Sequence, residues 1–228
     1  MSIWKQRIDL LATILMIAAA GTVIWTTQFR SSSKKQALEI PKEPIPIADA
    51  RAEGRVDAPA VVVMFTDFQC PACKKFVEET KPEIEKEYIT TGRVKFVVKH
   101  FPLNSHPFAP RAAEAAECAG QQDKFWDYHD LLYKNQVGIS ESTWTRLGSQ
   151  ANLEARAFAD CLGGTFRDRI AADRSLAQRL KLSGTPTFFI GTETADGQFR
   201  ARQAVSGGRV LLELLRSEVP EIERSLAR

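Results

Sequence analysis

The sequence has almost no excess charge of either sign. Over 228 residues, 31 Lys and Arg stand against 28 Asp and Glu, a formal +3. That excludes a nucleic-acid surface, which needs a clustered basic excess. Arg167, Arg169, Arg174, Arg179 and Lys181 do cluster, but Asp168 and Asp173 interleave with them, which predicts a solvated helix face. Histidine is scarce: His100, His106 and His129 form no close pair, so no histidine-based metal site is expected. Internal repeats are absent. With 44% hydrophobic and 26% charged residues, the chain suits one globular domain plus appendages.

Cysteine is sparse too, and two of the four carry the most information. Cys70-Pro71-Ala72-Cys73 lies behind Val61-Val62-Val63-Met64-Phe65, an apolar, β-branched run bounded by Pro59 and Asp67. Such a run predicts a short buried strand. Immediately after the motif, Lys74 to Glu79 have helical spacing, and Pro71 suits a first helical position, where its missing N–H costs nothing. Cys70 and Cys73 then share one face of a first helical turn, with Cys70 at the unpaired N–H groups and positive dipole end. A thiolate there is stabilised, and its pKa falls from about 8.5 towards roughly 3.5–7.5. A reversible dithiol/disulfide pair is expected. A zinc site would need a second close ligand pair, and Cys118 and Cys161 stand far apart.

At the N-terminus, Lys5 and Arg7 precede a continuous apolar run from Leu10 to Trp25. It is long for a signal-peptide core and short for a spanning helix. Cleavage at Ala18-Ala19-Ala20 would leave Gly21-Thr22-Val23-Ile24-Trp25 dangling and apolar, so an uncleaved signal-anchor is expected. The expected division is a cytoplasmic N-terminus (1–9), a transmembrane signal-anchor (10–27), a Pro/Ser tether (28–57) and a catalytic domain (58–228). Arg30, Lys34 and Lys35 flank the far end of the span, so charge leaves the orientation open. Thiol chemistry behind an export signal favours the oxidising side. The expected location is the inner (cytoplasmic) membrane, single-pass, with the domain on the periplasmic side.

Within the domain, one helix is expected from Pro71 to Thr90, kinked at Pro82 and ended by Gly92. A strand at Val94–Val98 comes next, then helical segments from Phe108 to Leu182. Thr187–Ile190 resumes the sheet, Asp196-Gly197 marks a hairpin into Phe199–Val205, and a closing helix is built on Val210, Leu211, Leu214 and Leu215.

These residues carry a family resemblance. Asp67-Phe68-Gln69-Cys70-Pro71-Ala72-Cys73-Lys74-Lys75-Phe76 resembles the active-site segment of DsbA-like thiol:disulfide oxidoreductases of the thioredoxin superfamily. His106-Pro107-Phe108-Ala109, Lys124-Phe125-Trp126-Asp127-Tyr128-His129 and Gly184-Thr185-Pro186-Thr187-Phe188 are similar to that family in the same order. The resemblance implies an α/β thioredoxin fold with an inserted helical subdomain at about 101–183. It also implies a cis Thr185–Pro186 peptide facing the cysteines, with Thr185 and Pro186 holding substrate backbone. Many relatives carry a buried acid where this chain has Met64, and Asp67 is the nearer carboxylate, with a turn-forming role. Ala72 replaces the histidine of the best-known oxidants, which predicts a milder oxidant. His106 and His129 are assigned to packing or hydrogen bonding.

Cys118 and Cys161 are open to two assignments, buried small apolar residues or a structural disulfide within the helical block. The oxidising compartment favours the disulfide. The expected function is membrane-anchored dithiol–disulfide exchange in exported proteins, in the direction of disulfide formation. Cys70 is the expected nucleophile and Cys73 the resolving cysteine. Pro71, Ala72 and Asp67 form the environment, and neither metal nor cofactor is needed beyond the Cys70–Cys73 disulfide. Expected partners are reduced exported proteins and, as the family suggests, a quinone-linked membrane protein of DsbB or vitamin-K-epoxide-reductase type. The alternative is a reductase or isomerase kept reduced by a membrane electron donor, to whose branch Thr185 before the proline is similar. A binding or chaperone module on the same scaffold would give the intact cysteine pair no role.

Overall fold

In a computed structural model, which describes residues 38–227, a six-stranded mixed sheet organises the domain. Its strands are β1 (Ile45–Pro46), β2 (Arg51–Glu53), β3 (Ala60–Thr66), β4 (Val94–His100), β5 (Thr187–Glu193) and β6 (Gln198–Ser206). They lie in the order β1-β6-β5-β3-β4-β2, with β3 and β4 parallel and every other pair antiparallel. The expected N-terminus (1–9), membrane span (10–27) and first part of the tether (28–37) lie outside the described residues. Among the described residues no helix is long and apolar enough to cross a membrane.

All seven residues of β3 are buried, as a strand covered on both faces must be. Alternation sends Ala60, Val62 and Met64 into the larger core, and Val61, Val63 and Phe65 into the smaller core on the opposite face. Burying each of the Val, Met and Phe side chains contributes about 1.5–3 kcal/mol, so the strand is a rigid base for the segment beyond it. That segment is helix α1 (Pro71–Glu79), then the short α2 (Lys81–Ile84) running into a π-helical turn (Glu85–Ile89). The single expected helix is thus broken at Thr80. Pro82 has no N–H for the Glu78 carbonyl, so the ladder cannot pass. Gly92, at φ +73°, ends the segment.

Between β4 and β5 lie five helices: α3 (Ala109–Gly120), α4 (Phe125–Lys134), α5 (Thr143–Gln150), α6 (Ala155–Cys161) and α7 (Arg167–Arg179). They are the inserted helical subdomain. The charged α7 is not wholly solvated. Asp173 is buried and accepts from Lys99 Nζ at 2.9 Å and from the His100 N–H at 3.0 Å, while Arg169 reaches the buried Glu117 at 2.9 Å. The closing helix α8 (Gly208–Leu226) buries Leu211, Leu215, Val219 and Ile222, while Val210 is left 40% exposed. Gly207, at φ +93°, turns the chain into α8. Gly208 lets it approach Phe76 of α1 so closely that a Cβ would stand 2.4 Å from the ring.

The expected tether to residue 57 is corrected at its C-terminal part. β1 pairs with β6 and β2 with β4, so residues 45–46 and 51–53 belong to the sheet. Pro46 is tolerated on an edge strand, where its missing N–H faces no partner. Ile45 and Ile47 are buried in the smaller core. Arg51 Nε donates to Glu117 Oε2 at 2.7 Å, with His100 Nε2 on the other Glu117 oxygen at 2.9 Å. Glu53 pairs with Lys81 at 2.8 Å. These partners are distant in sequence, so composition alone gave no sign of them.

Cys118 on α3 and Cys161 on α6 form a disulfide with Cα atoms 5.7 Å apart. It closes a sequence separation of 43 residues, and in the chain-entropy model a loop of that size contributes about 4 kcal/mol. Urea denaturation of the Cys118→Ala/Cys161→Ala protein is expected to show a loss of that order. A midpoint unchanged from the parent would refute a stabilising role.

Candidate active site

Strand β3 ends at Thr66, and Asp67-Phe68-Gln69 carries the chain from sheet to helix. Asp67 is buried and fully engaged. Its Oδ1 accepts the Gln69 N–H at 2.7 Å, and its Oδ2 accepts the Leu103 N–H and meets His106 Nδ1, each at 2.8 Å. The Asp67 carbonyl accepts the Cys70 N–H at 3.0 Å. Asp67 therefore builds the turn and makes no direct contact with sulfur. Gln69 Oε1 accepts the Phe108 N–H at 2.6 Å, and Gln136 Nε2 donates to the carbonyls of Phe68 (2.9 Å) and Cys70 (3.0 Å). Nothing local in the sequence marks either glutamine, because each acts on a segment far away in the chain.

Cys70 is the N-cap of α1, with Pro71 at the start of the helix. Both cysteines are free thiols. Cys70 is 6% exposed and Cys73, one turn on, is sealed at 0%. Pro71 and Ala72 are exposed in front of them. Across the sulfur, Thr185–Pro186 is a cis peptide, and the Cys70 thiol donates to the Thr185 carbonyl at 3.2 Å. The Thr185 hydroxyl is buried without a nitrogen or oxygen partner. The cysteines, Thr185 and Pro186 thus converge. A groove of about 680 Å³ runs from Ala72 past Pro186 to Val210. Cys118 and Cys161 are tied up in their own bond.

The two thiols differ in acidity for stated reasons. The Cys73 thiol, donating to Cys70 Sγ, pulls the Cys70 pKa down to about 5. The Thr185 hydroxyl and the N–H groups of Cys73 and Ala72 assist, while burial works against them. Those N–H groups are the helix-terminal donors expected from the motif. Burial, and then the bond it donates to Cys70, push the Cys73 thiol well above the usual range. The arrangement can expose one sulfur as an anion at neutral pH and hold a second behind it in reserve.

His129 is buried against Phe68, Phe125 and Tyr133 and bonds Asp130 at 2.9 Å. Burial lowers its pKa. His106 braces Asp67, and Met64 lies fully buried among apolar groups. Among the described residues, no cluster of three His, Cys, Asp or Glu could hold a metal ion.

A family model described as thioredoxin matches residues 48–205. The chain is 34% identical over 148 residues to the Na(+)/H(+) antiporter NhaA 3 of Salinispora tropica, a match over 64% of this chain but only 22% of the antiporter. It is 30% identical over 156 residues to the probable disulfide bond formation protein D of Bacillus cereus, covering 64% of this chain and 72% of that protein. The crystal structure of alpha-DsbA1 from Wolbachia pipientis superposes with a TM-score of 0.67 at 21% identity, covering 80% of this chain and 96% of that one.

The thiolate ultraviolet absorbance of the reduced protein is expected to half-titrate near pH 5. In Cys73→Ala, which removes the leading donor, the half-point is expected to move up. An unmoved half-point would mean that the backbone alone sets the acidity. The folded-state value lies below the ordinary 9.0, so the thiolate stabilises the reduced fold above that pH and ceases to do so as pH falls through about 5. Denaturation of reduced and oxidised protein across this window is expected to show the reduced form alone losing stability from this source on acidification.

Proposed function

The chain belongs to the thioredoxin family, among its DsbA-like members, and on that premise we propose that it is a membrane-anchored thiol:disulfide oxidoreductase that forms disulfides in exported proteins. One observation carries the proposal. A low-pKa sulfur at a helix N-terminus stands in front of a sealed partner sulfur and faces the Thr185–Pro186 backbone.

Starting from the oxidised Cys70–Cys73 form, a substrate thiolate places its electron pair on Cys70 Sγ. The Cys70–Cys73 bond breaks, and Cys73 Sγ leaves with the pair and gains a proton. A second substrate thiolate then attacks its own sulfur in the mixed disulfide, and Cys70 Sγ departs as an anion. The substrate loses two electrons and the enzyme gains them. A thiolate with a pKa near 5 is a good leaving group, which favours release of oxidised product. Thr185 precedes β5, whose ladder begins at Thr187, so its backbone is free of the sheet register and suited to pair briefly with an extended substrate segment. No cofactor beyond the dithiol/disulfide is required.

Anchoring is supported by the apolar run Leu10–Trp25, and an extracytoplasmic, periplasmic location by the second disulfide, which fits an oxidising compartment. The reduced enzyme then needs an electron acceptor. A quinone-linked membrane protein of DsbB or vitamin-K-epoxide-reductase type supplies the right chemistry.

In cells, Cys73→Ala is expected to accumulate mixed disulfides through Cys70, with exported proteins attached, and Cys70→Ser to accumulate none. Alkylation of the intact protein is expected to find the pair mostly oxidised. A pair found reduced at steady state would instead establish the reductase or isomerase direction.

A further inference from the structure

Helices commonly fix their first turn with a capping side chain, and α1 has none to use. Its N-cap is Cys70, which makes no side-chain capping bond, and its next residue is Pro71, which has no N–H. The turn that aims the sulfur is instead held from another part of the chain. Gln136 is half-buried and lies two residues past the end of α4. Its Nε2 donates to the Phe68 carbonyl at 2.9 Å and to the Cys70 carbonyl at 3.0 Å. One NH2 group thus joins two carbonyls, with both of its hydrogens engaged. Both partners are acceptors, so the amide nitrogen and not the oxygen must face them. Among the described residues no other side chain bonds the backbone of Cys70. The same Cys70 carbonyl accepts the N–H groups of Cys73 and Lys74, each at 3.1 Å, so Gln136 grips the atom from which the first turn of α1 hangs. Its own base is firm. The Phe68 ring packs on Tyr133 and His129 of α4, with ring centroids 5.0 and 5.6 Å apart. Asn135 Nδ2 donates to the Leu131 carbonyl at 2.8 Å, and Asn135 Oδ1 accepts Arg146 of α5 at 3.2 Å.

We propose that Gln136 is a positioning residue for Cys70, a clamp by which the inserted helical subdomain keeps the first amides of α1 aimed at the reacting sulfur. It bonds backbone, and it acts on the chemistry only through the turn it holds. An N–H group stabilises an anion when it points at it, and the bond weakens steeply as the angle closes. Released from Gln136, residues 68–70 gain freedom to rotate. The Ala72 and Cys73 amides, which help to hold the Cys70 thiolate, then lose alignment. Donors fixed beforehand need no reorganisation when charge appears, and Gln136 supplies that fixing where the N-cap side chain cannot.

The inference rests on the proposed exchange chemistry, in which Cys70 Sγ leaves the mixed disulfide with the electron pair, and its test reads the acidity of that sulfur directly. Gln136→Met keeps the length and bulk of the side chain and removes both donors. In the reduced full-length protein its thiolate half-point, followed by ultraviolet absorbance, is expected to rise by about half a pH unit, the scale of one neutral hydrogen bond. Iodoacetamide alkylates the thiolate, and Cys70 is the accessible thiol of the pair. About one pH unit below the parental half-point, alkylation of Gln136→Met is expected to be about threefold slower, in step with the smaller thiolate fraction. Gln136→Asn, one methylene too short to span both carbonyls, is expected to shift the half-point in the same direction. Thermal melting of the oxidised form, in which neither cysteine titrates, is expected to show both variants folded. A merely structural Gln136 would lower that melting point and leave the half-point of the folded, reduced protein where it was. An unmoved half-point in Gln136→Met therefore overturns the proposal, and if that variant does not fold, an unmoved half-point in Gln136→Asn overturns it alone. A parent protein whose Cys70 ionises no more readily than an ordinary thiol would instead refute the exchange chemistry itself.

Discussion

A negative charge on one sulfur is the constraint around which the molecule is arranged. Cys70 Sγ can ionise near pH 5 only because several donors converge on it, and each is held by a different part of the fold. Cys73 and the first amides of α1 come from the helix, and Thr185 comes from the approach to β5. The helix is fixed because Phe76 packs on Phe96, Phe188 and Gly208. The turn before it is fixed because Asp67 and Gln136 occupy its backbone. Donors already in place need no rearrangement when charge arrives, and that is the physical content of preorganisation.

The two sulfurs divide the work by depth. Cys70 is at the rim and Cys73 beneath it, so an incoming thiolate reaches the first before the second. The same burial that protects Cys73 also makes its ionisation costly.

Much of this was legible in the sequence, for local reasons. A β-branched run, a proline at the first helical position and two cysteines one turn apart report on neighbours a few residues away, and Asp196-Gly197 reports on its own hairpin. The features that escaped depend on contacts between distant segments. Residues 45–53 look like a proline-broken linker, because two- and three-residue strands leave no periodic pattern and Arg51 finds Glu117 only in the folded state. Asp173 and Arg169 sit in a strongly charged helix whose inward face the alternating charges conceal. Thr66 reads as the end of a strand and Tyr133 as a helix residue, and only tertiary structure joins their hydroxyls.

The strap formed by β1 and β2 has a bearing on traffic with other chains. It contributes a short strand to each outer side of the sheet, on β6 and on β4. Bare sheet edges are templates on which unfolded polypeptide can nucleate unwanted ladders. Two- and three-residue strands at the margins present little such template, and Pro46 gives one of them no N–H to offer. An unfolded chain therefore finds little at the periphery of the sheet on which to anneal.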